Sequence, residues 1–110
     1  MYKRQVLDSG ATGILAFNDL VAMGLLSGLH ERGIRVPEDI SVTGFDDIPF
    51  ARYTTPTLTT AAVPITELGR QAWHRMRDLI RHAPSDAGTE GPTVFQPRLE
   101  TRSSTGPAKG

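Results

Sequence analysis

The sequence predicts an α/β domain in which helices flank a parallel sheet. Three observations carry this. Two short apolar runs, Ile14-Leu15-Ala16-Phe17 and Ile40-Ser41-Val42-Thr43-Gly44-Phe45, each stop at a polar pair, Asn18-Asp19 and Asp46-Asp47. Between them, Leu20 to Arg32 has the apolar period of a helix. A strand, a helix and a strand within about 30 residues make a βαβ unit, whose crossover is almost always right-handed and whose strands are parallel.

Taken in order, residues 3–9 read as the last turns of a helix, closed by Gly10 in a left-handed cap. The continuous run Ile14 to Phe17 fits a strand buried on both faces. Asn18 and Asp19 are both competent N-caps, because a side-chain oxygen of either can accept from free amides of the first helical turn. Val21, Met23, Leu25, Leu26 and Leu29 give the helix more apolar surface than one stripe needs, so it is expected to pack on two sides, and Gly33 ends it. Pro37 keeps residues 33–39 out of a helix. A third strand is expected from Leu58 to Val63, and Pro64 then opens a helix from Ile65 to Arg81 with Leu68, Ala72, Met76, Leu79 and Ile80 on its apolar face. Residues 83–92 are a loop by composition. Val94 to Thr101 alternates with period two but contains Pro97, which marks an edge or linking strand. Ser103 to Gly110 reads as a frayed polar tail.

Composition narrows the function. The 110 residues carry 12 basic and 12 acidic side chains, for a formal net charge of zero, so no part resembles the basic footprint of a nucleic-acid surface. Any DNA contact would have to come from another segment. With no cysteine, disulfides, thiolate metal sites and cysteine nucleophiles are excluded. No apolar stretch approaches the length that spans a bilayer, and Met1-Tyr2-Lys3-Arg4 is not followed by an apolar signal core, so a cytoplasmic protein is expected. His30, His74 and His82 lie outside recognised metal spacings, and the serines lack a nucleophile-elbow setting. Neither an enzyme nor a cofactor or metal protein is indicated.

The polar pairs lie where ligands bind in open parallel sheets, in the crevice beyond the carboxyl ends of the strands. Asn offers a donor and an acceptor and ionised Asp offers acceptors, a combination that suits a neutral, hydroxyl-rich guest such as a sugar. Against this stands capping. Spacing favours a capping role for Asp19 and Asp47, and leaves Asn18 and Asp46 open between capping and ligand contact. Asp46 and Asp47, as chain neighbours, point to opposite sides and do not converge on one substrate atom.

The stretch AFNDLVAMGLLSGLHERGIRVPEDISVTGFDDIPFARYTTPTLTT, followed in register by Glu67-Leu68-Gly69 and Arg102-Ser103-Ser104-Thr105, resembles the effector-binding domain of LacI/GalR-family transcriptional regulators. The resemblance runs from about Ala11 to Pro107. It implies part of a type I periplasmic-binding-protein-like fold, two α/β lobes closing over a small effector, with operator DNA bound by an N-terminal helix-turn-helix as a homodimer. Residue by residue, it implies effector contacts at Asn18, Asp46 and Val63, the last on a less polar wall, and a dimer interface around Met23, Leu26 and Tyr53. Core packing is the competing reading for Met23 and Leu26. Complete members carry the headpiece and most of the first lobe ahead of the position of Lys3. On this resemblance residues 11–62 form a βαβ unit of the second lobe, 63–95 a crossover segment and helix, and 96–110 a return strand and tail. Such a piece is expected to expose apolar surface unless it pairs. The competing functions are a solute-binding component of a sugar-uptake transporter and a self-association module without ligand.

Overall fold

The computed structural model describes residues 2–82 and 91–110. In chain order the elements are α1 (Tyr2–Asp8), β1 (Gly13–Leu15), α2 (Asp19–His30), β2 (Ser41–Asp46), a 3-10 turn (Pro49–Arg52), β3 (Thr59–Ala62), α3 (Ile65–Arg81) and β4 (Arg98–Glu100). They fall into two compact units, residues 1–62 with 98–110, and residues 63–97. Most of the loop expected over 83–92 lies outside the described residues.

In the first unit the strands form one sheet in the order β1-β2-β3-β4. β1 pairs parallel with β2 and β2 parallel with β3, while β4 returns antiparallel beside β3, so the expected parallel sheet is a mixed one with an antiparallel edge. The alternation of a strand decides what each face meets. Val42 and Gly44 of β2 are buried under α2, whose Ala22, Leu26 and Leu29 form the core together with Ile40, Ala51 and Leu58. Full burial of a side chain such as Val42 or Leu58 stabilises by about 1.5–3 kcal/mol. Val6 and Leu7 of α1 pack against this same core, so α2 is indeed covered on two sides.

The opposite face corrects an expectation. The run Ile14 to Phe17 was expected to be buried on both faces, yet Leu15 is 88% exposed and Phe17 86% exposed. Only Ile14 and Ala16 of that run pack toward α2. Phe45 and Leu99, which the strand register aligns through Ala61, belong to this same uncovered side.

The C-terminal tail is a second correction, because it is stitched into the sheet where β3 begins. Ser104 is fully buried; its hydroxyl donates to the Val42 carbonyl at 2.6 Å and accepts from the Thr59 amide at 2.8 Å, and its carbonyl accepts from the Val42 amide at 2.9 Å. Thr59 Oγ1 shares a 2.9 Å hydrogen bond with Thr105 Oγ1. The polar residues 102–105 thus do the pairing that a strand would do. Ser104→Ala leaves the buried Thr59 amide without its acceptor and is expected to cost about 2 kcal/mol, read as a lower urea midpoint at unchanged slope.

A surface clasp closes the other end of the unit. Asp39 accepts from the Arg35 side chain and amide and from Lys109 Nζ. The Arg35 hydrogen bond, foremost, holds the Asp39 carboxyl well below its usual range. A carboxyl depressed in the folded state adds stability above its unfolded pKa and loses it as pH falls through the folded value, so this clasp persists through the mildly acid range and weakens with added salt.

The second unit is dominated by α3. Its N-terminal residue follows Pro64, and Arg70 with Gln71 clamps Glu67 in the first turns. No residue of α3 is buried among the described residues, although Trp73, Met76, Leu79 and Ile80 are large and apolar.

Candidate functional site

Parallel pairing aligns the two polar pairs. Leu15 stands opposite Thr43, so Asn18 and Asp46 each lie three residues further along neighbouring strands running the same way. Asn18 lies beyond the end of β1 and Asp46 is the last residue of β2, the strand ends at which ligands bind in such sheets.

Asn18 is the N-cap of α2. Its backbone is extended, and its Oδ1 accepts from the Val21 amide at 2.9 Å. The side-chain amide Nδ2 makes no hydrogen bond among the described residues, so a cap and a donor coexist on one side chain. Asp19, which spacing had favoured as a cap, is instead fully buried and reaches across the sheet. Its Oδ1 accepts from Thr60 Oγ1 at 2.6 Å and its Oδ2 from the Ile48 amide at 2.9 Å. A buried carboxylate requires such donors, since without them its desolvation would cost several kcal/mol.

Among the described residues, Asp46 and Asp47 are the two non-glycine residues with left-handed backbone, at φ 118° and 59°. Aspartate tolerates that region better than most residues, but each such angle still costs of order 1 kcal/mol. Asp47 is held: Arg102 Nη2 donates to its Oδ1 at 2.7 Å, Arg52 lies 4.0 Å from its Oδ2, and Arg102 also donates from Nη1 to the Leu58 carbonyl. The stabilising role spacing gave Asp47 therefore draws on a partner 55 residues away. Asp46 is half-buried, and among the described residues no hydrogen bond or ion pair takes up its carboxylate.

The remaining residues singled out from the sequence are more dispersed. Val63 is half-buried and is the first residue of the second unit. Met23 is half-buried, Tyr53 is 78% exposed, and Leu26, at 6% exposure, belongs to the core. Leu26 also lines an open hollow of about 440 Å³ with His30, Ile34, Val36, Thr55 and Pro56, at the far end of α2. Among the described residues no cluster of three or more His, Cys, Asp or Glu could hold a metal ion, and no helix is long and apolar enough to cross a membrane. Sequence reasoning missed Thr60 and the pairing role of Arg102. The Arg102-Ser103-Ser104-Thr105 motif was the one available signal for the latter.

A sheet with helices and acids gathered at the carboxyl ends of its strands is the architecture of a periplasmic binding protein-like domain, and the model of that domain family matches residues 2–105. The chain belongs to this family. Within it, the chain is similar to LacI-family transcriptional regulators and is part of an effector-binding domain of that type. It is 43% identical over 75 residues to the HTH-type transcriptional repressor PurR of Vibrio atlanticus, covering 68% of this chain and 22% of the relative. To the HTH-type transcriptional regulator AscG of Escherichia coli it is 48% identical over 65 residues, covering 57% of this chain and 19% of the relative. Among solved structures, a LacI-family regulator from Enterococcus faecium with bound ribose superposes with a TM-score of 0.88 at 40% identity, covering 97% of this chain and 39% of that one. Another from Arthrobacter, in complex with lactose, gives a TM-score of 0.82 at 37% identity, covering 94% and 38%. The chain thus spans about a fifth of the length of these two curated relatives.

Proposed function

We propose that Asn18 and Asp46 contact a hydroxyl-rich small molecule, a sugar, and that the protein is a DNA-binding transcriptional regulator, a repressor, that responds to it. The observation that carries this reading is the contrast among neighbouring acids. Asp19 and Asp47 are consumed by protein partners, whereas Asp46 is held in a costly backbone conformation with its carboxylate unpaired among the described residues. Strain that serves no protein contact is characteristic of a ligand site. Asn18 Nδ2 adds a donor beyond the end of the neighbouring strand. The ribose and lactose found in related structures support the chemical class.

In this reading Val63 contributes an apolar effector contact. The effector binds one arrangement of the lobes more tightly and shifts the population toward it, which changes operator affinity by the same coupling. Operator DNA is held by a segment outside this chain, and the protein is cytoplasmic. Tyr53 and Met23 supply the homodimer contact, with Leu26 supporting it from the core. The uptake-transporter alternative is disfavoured because the relatives named above are transcriptional regulators.

The test is a thermal-shift screen of the full-length protein against monosaccharides, disaccharides and purines. A sugar is expected to raise the melting temperature in the wild type and to have no effect on Asp46→Asn, which keeps the backbone preference but loses the charge. An equal shift in both proteins would remove Asp46 from the site.

A further inference from the structure

We propose that Asp19 is a positioning residue for the effector site: its buried carboxylate clamps the segment after β2 so that Asp46 presents its own carboxylate at the strand end. This rests on the effector reading for its function and on geometry for its existence. Asp46 lies between two restraints. On one side it pairs with Ala62 in the β2–β3 ladder, and on the other the Ile48 amide, two residues on, is fixed by Asp19 Oδ2 at 2.9 Å. Left-handed backbone at Asp46 and Asp47 relaxes unless its surroundings over-determine it. The ladder, the Asp47–Arg102 pair and the Asp19 clamp together do so.

Other features converge on the clamp. Asp19 Oδ1 takes the Thr60 hydroxyl from the neighbouring strand at 2.6 Å, so one carboxylate ties β3 to the segment after β2. Gly44 supplies the space, since a Cβ there would overlap Asp19 Oδ1 and lie 3.1 Å from the Asp19 Cα. Asp19 also adjoins Asn18, so a single dipeptide at the start of α2 provides one ligand group and fixes the other. A buried acid is a poor device for stability alone, because apolar residues of similar volume serve as well, and its value here lies in fixing one conformation.

The chemistry distinguishes two substitutions. In Asp19→Asn the amide oxygen can accept from the Ile48 amide while Nδ2 donates to Thr60 Oγ1, which as a hydroxyl can accept; both links survive. Asp19→Ala removes both. Hydrogen exchange of the labelled full chain, without ligand, reads the result. In Asp19→Ala the Ile48 amide is expected to exchange roughly 10- to 100-fold faster, as loss of a hydrogen bond to a charged acceptor implies, and the Asp46 and Asp47 Cα shifts to leave their left-handed values, while Val42 and Leu58 amides keep their protection. Asp19→Asn should stay within about 3-fold of wild type on that scale. Should Asp19→Ala fail to fold, Thr60→Val, which deletes one arm, is expected to give the same local change at smaller size. The proposal is overturned if Ile48 and Asp46 do not respond, if all amides lose protection together, or if Asp19→Asn behaves as Asp19→Ala.

Titration with ribose or lactose separates the clamp from the reading it serves. Loss of the sugar response in both Asp46→Asn and Asp19→Ala, with recovery in Asp19→Asn, supports the whole proposal. Loss in Asp46→Asn but not in Asp19→Ala overturns the clamp and leaves the effector reading standing. A loosened Ile48 amide in Asp19→Ala, alongside an undiminished or absent sugar response in wild type and Asp46→Asn alike, overturns the effector role instead.

Discussion

Asp46→Gly is expected to abolish the sugar-induced thermal shift and at the same time to make the ligand-free protein more stable. The two effects have separate causes. Binding is expected to fail because the carboxylate proposed to accept the sugar hydroxyls is gone; each hydrogen bond to a charged acceptor contributes about 1.5–3 kcal/mol, so losing two would weaken binding by at least two orders of magnitude. Stability rises because φ 118° at Asp46 is a strained angle that glycine adopts freely. Relief of about 1–3 kcal/mol is offset by the extra unfolded-state freedom of glycine, about 0.5–1 kcal/mol, leaving a gain on the order of 1 kcal/mol. A structural cap would behave in the opposite way, since its removal would lower the melting temperature. Calorimetry of the apo variant and a titration with the sugar therefore decide between the two roles in one preparation.

Gly44→Ala is expected to be the most damaging single methyl group in the sheet. The new Cβ would overlap Asp19 Oδ1, and the Asp19 backbone is close enough behind it to prevent an easy retreat. Either α2 shifts away from β2, or the carboxylate leaves Thr60 and Ile48. The first course costs about 1–3 kcal/mol of overpacking, and the second strands a buried charge. A loss of about 3 kcal/mol, or on the order of 15 °C in melting temperature, is predicted from calorimetry, with sugar binding lost as well. Gly24→Ala serves as the control. An added Cβ there meets nothing within 4 Å, and alanine favours a helix, so its effect should be neutral or mildly stabilising.

The contrast between these two glycines shows what local pattern does and does not carry. α3 was legible to its end residues, because Pro64 and a 3.6-residue apolar period are both written within one stretch of chain. The β1–α2–β2 unit was legible for the same reason, within one or two residues at each end. What escaped was decided at long range. Asn18 and Asp19 are equally good caps by type, and the choice is made by Thr60, 41 residues away, which draws the Asp19 carboxylate into the sheet and leaves the cap to Asn18. Residues 103–105 read as a frayed tail because their polarity is local and their partners, Val42 and Thr59, are not. The run Ile14 to Phe17 shows that its residues are apolar but not which face is covered: α2 takes Ile14 and Ala16, and Leu15 and Phe17 face the other way. Of the candidate site, the residue types at the strand ends could be read directly. The division of labour among three acids could not, because it depends on Arg102, Thr60 and the Ile48 amide.

We place the effector at the ends of β1 and β2 and not in another concavity. A chemical-shift map of the backbone amides of the full-length protein, with and without the sugar that gives the largest thermal shift, reads this site. The changes are expected to peak at Asn18, Asp46 and Asp47 and to fade toward the far end of α2. Changes centred instead on His30, Ile34 and Thr55, around the 440 Å³ hollow, with the strand ends unmoved, would contradict it.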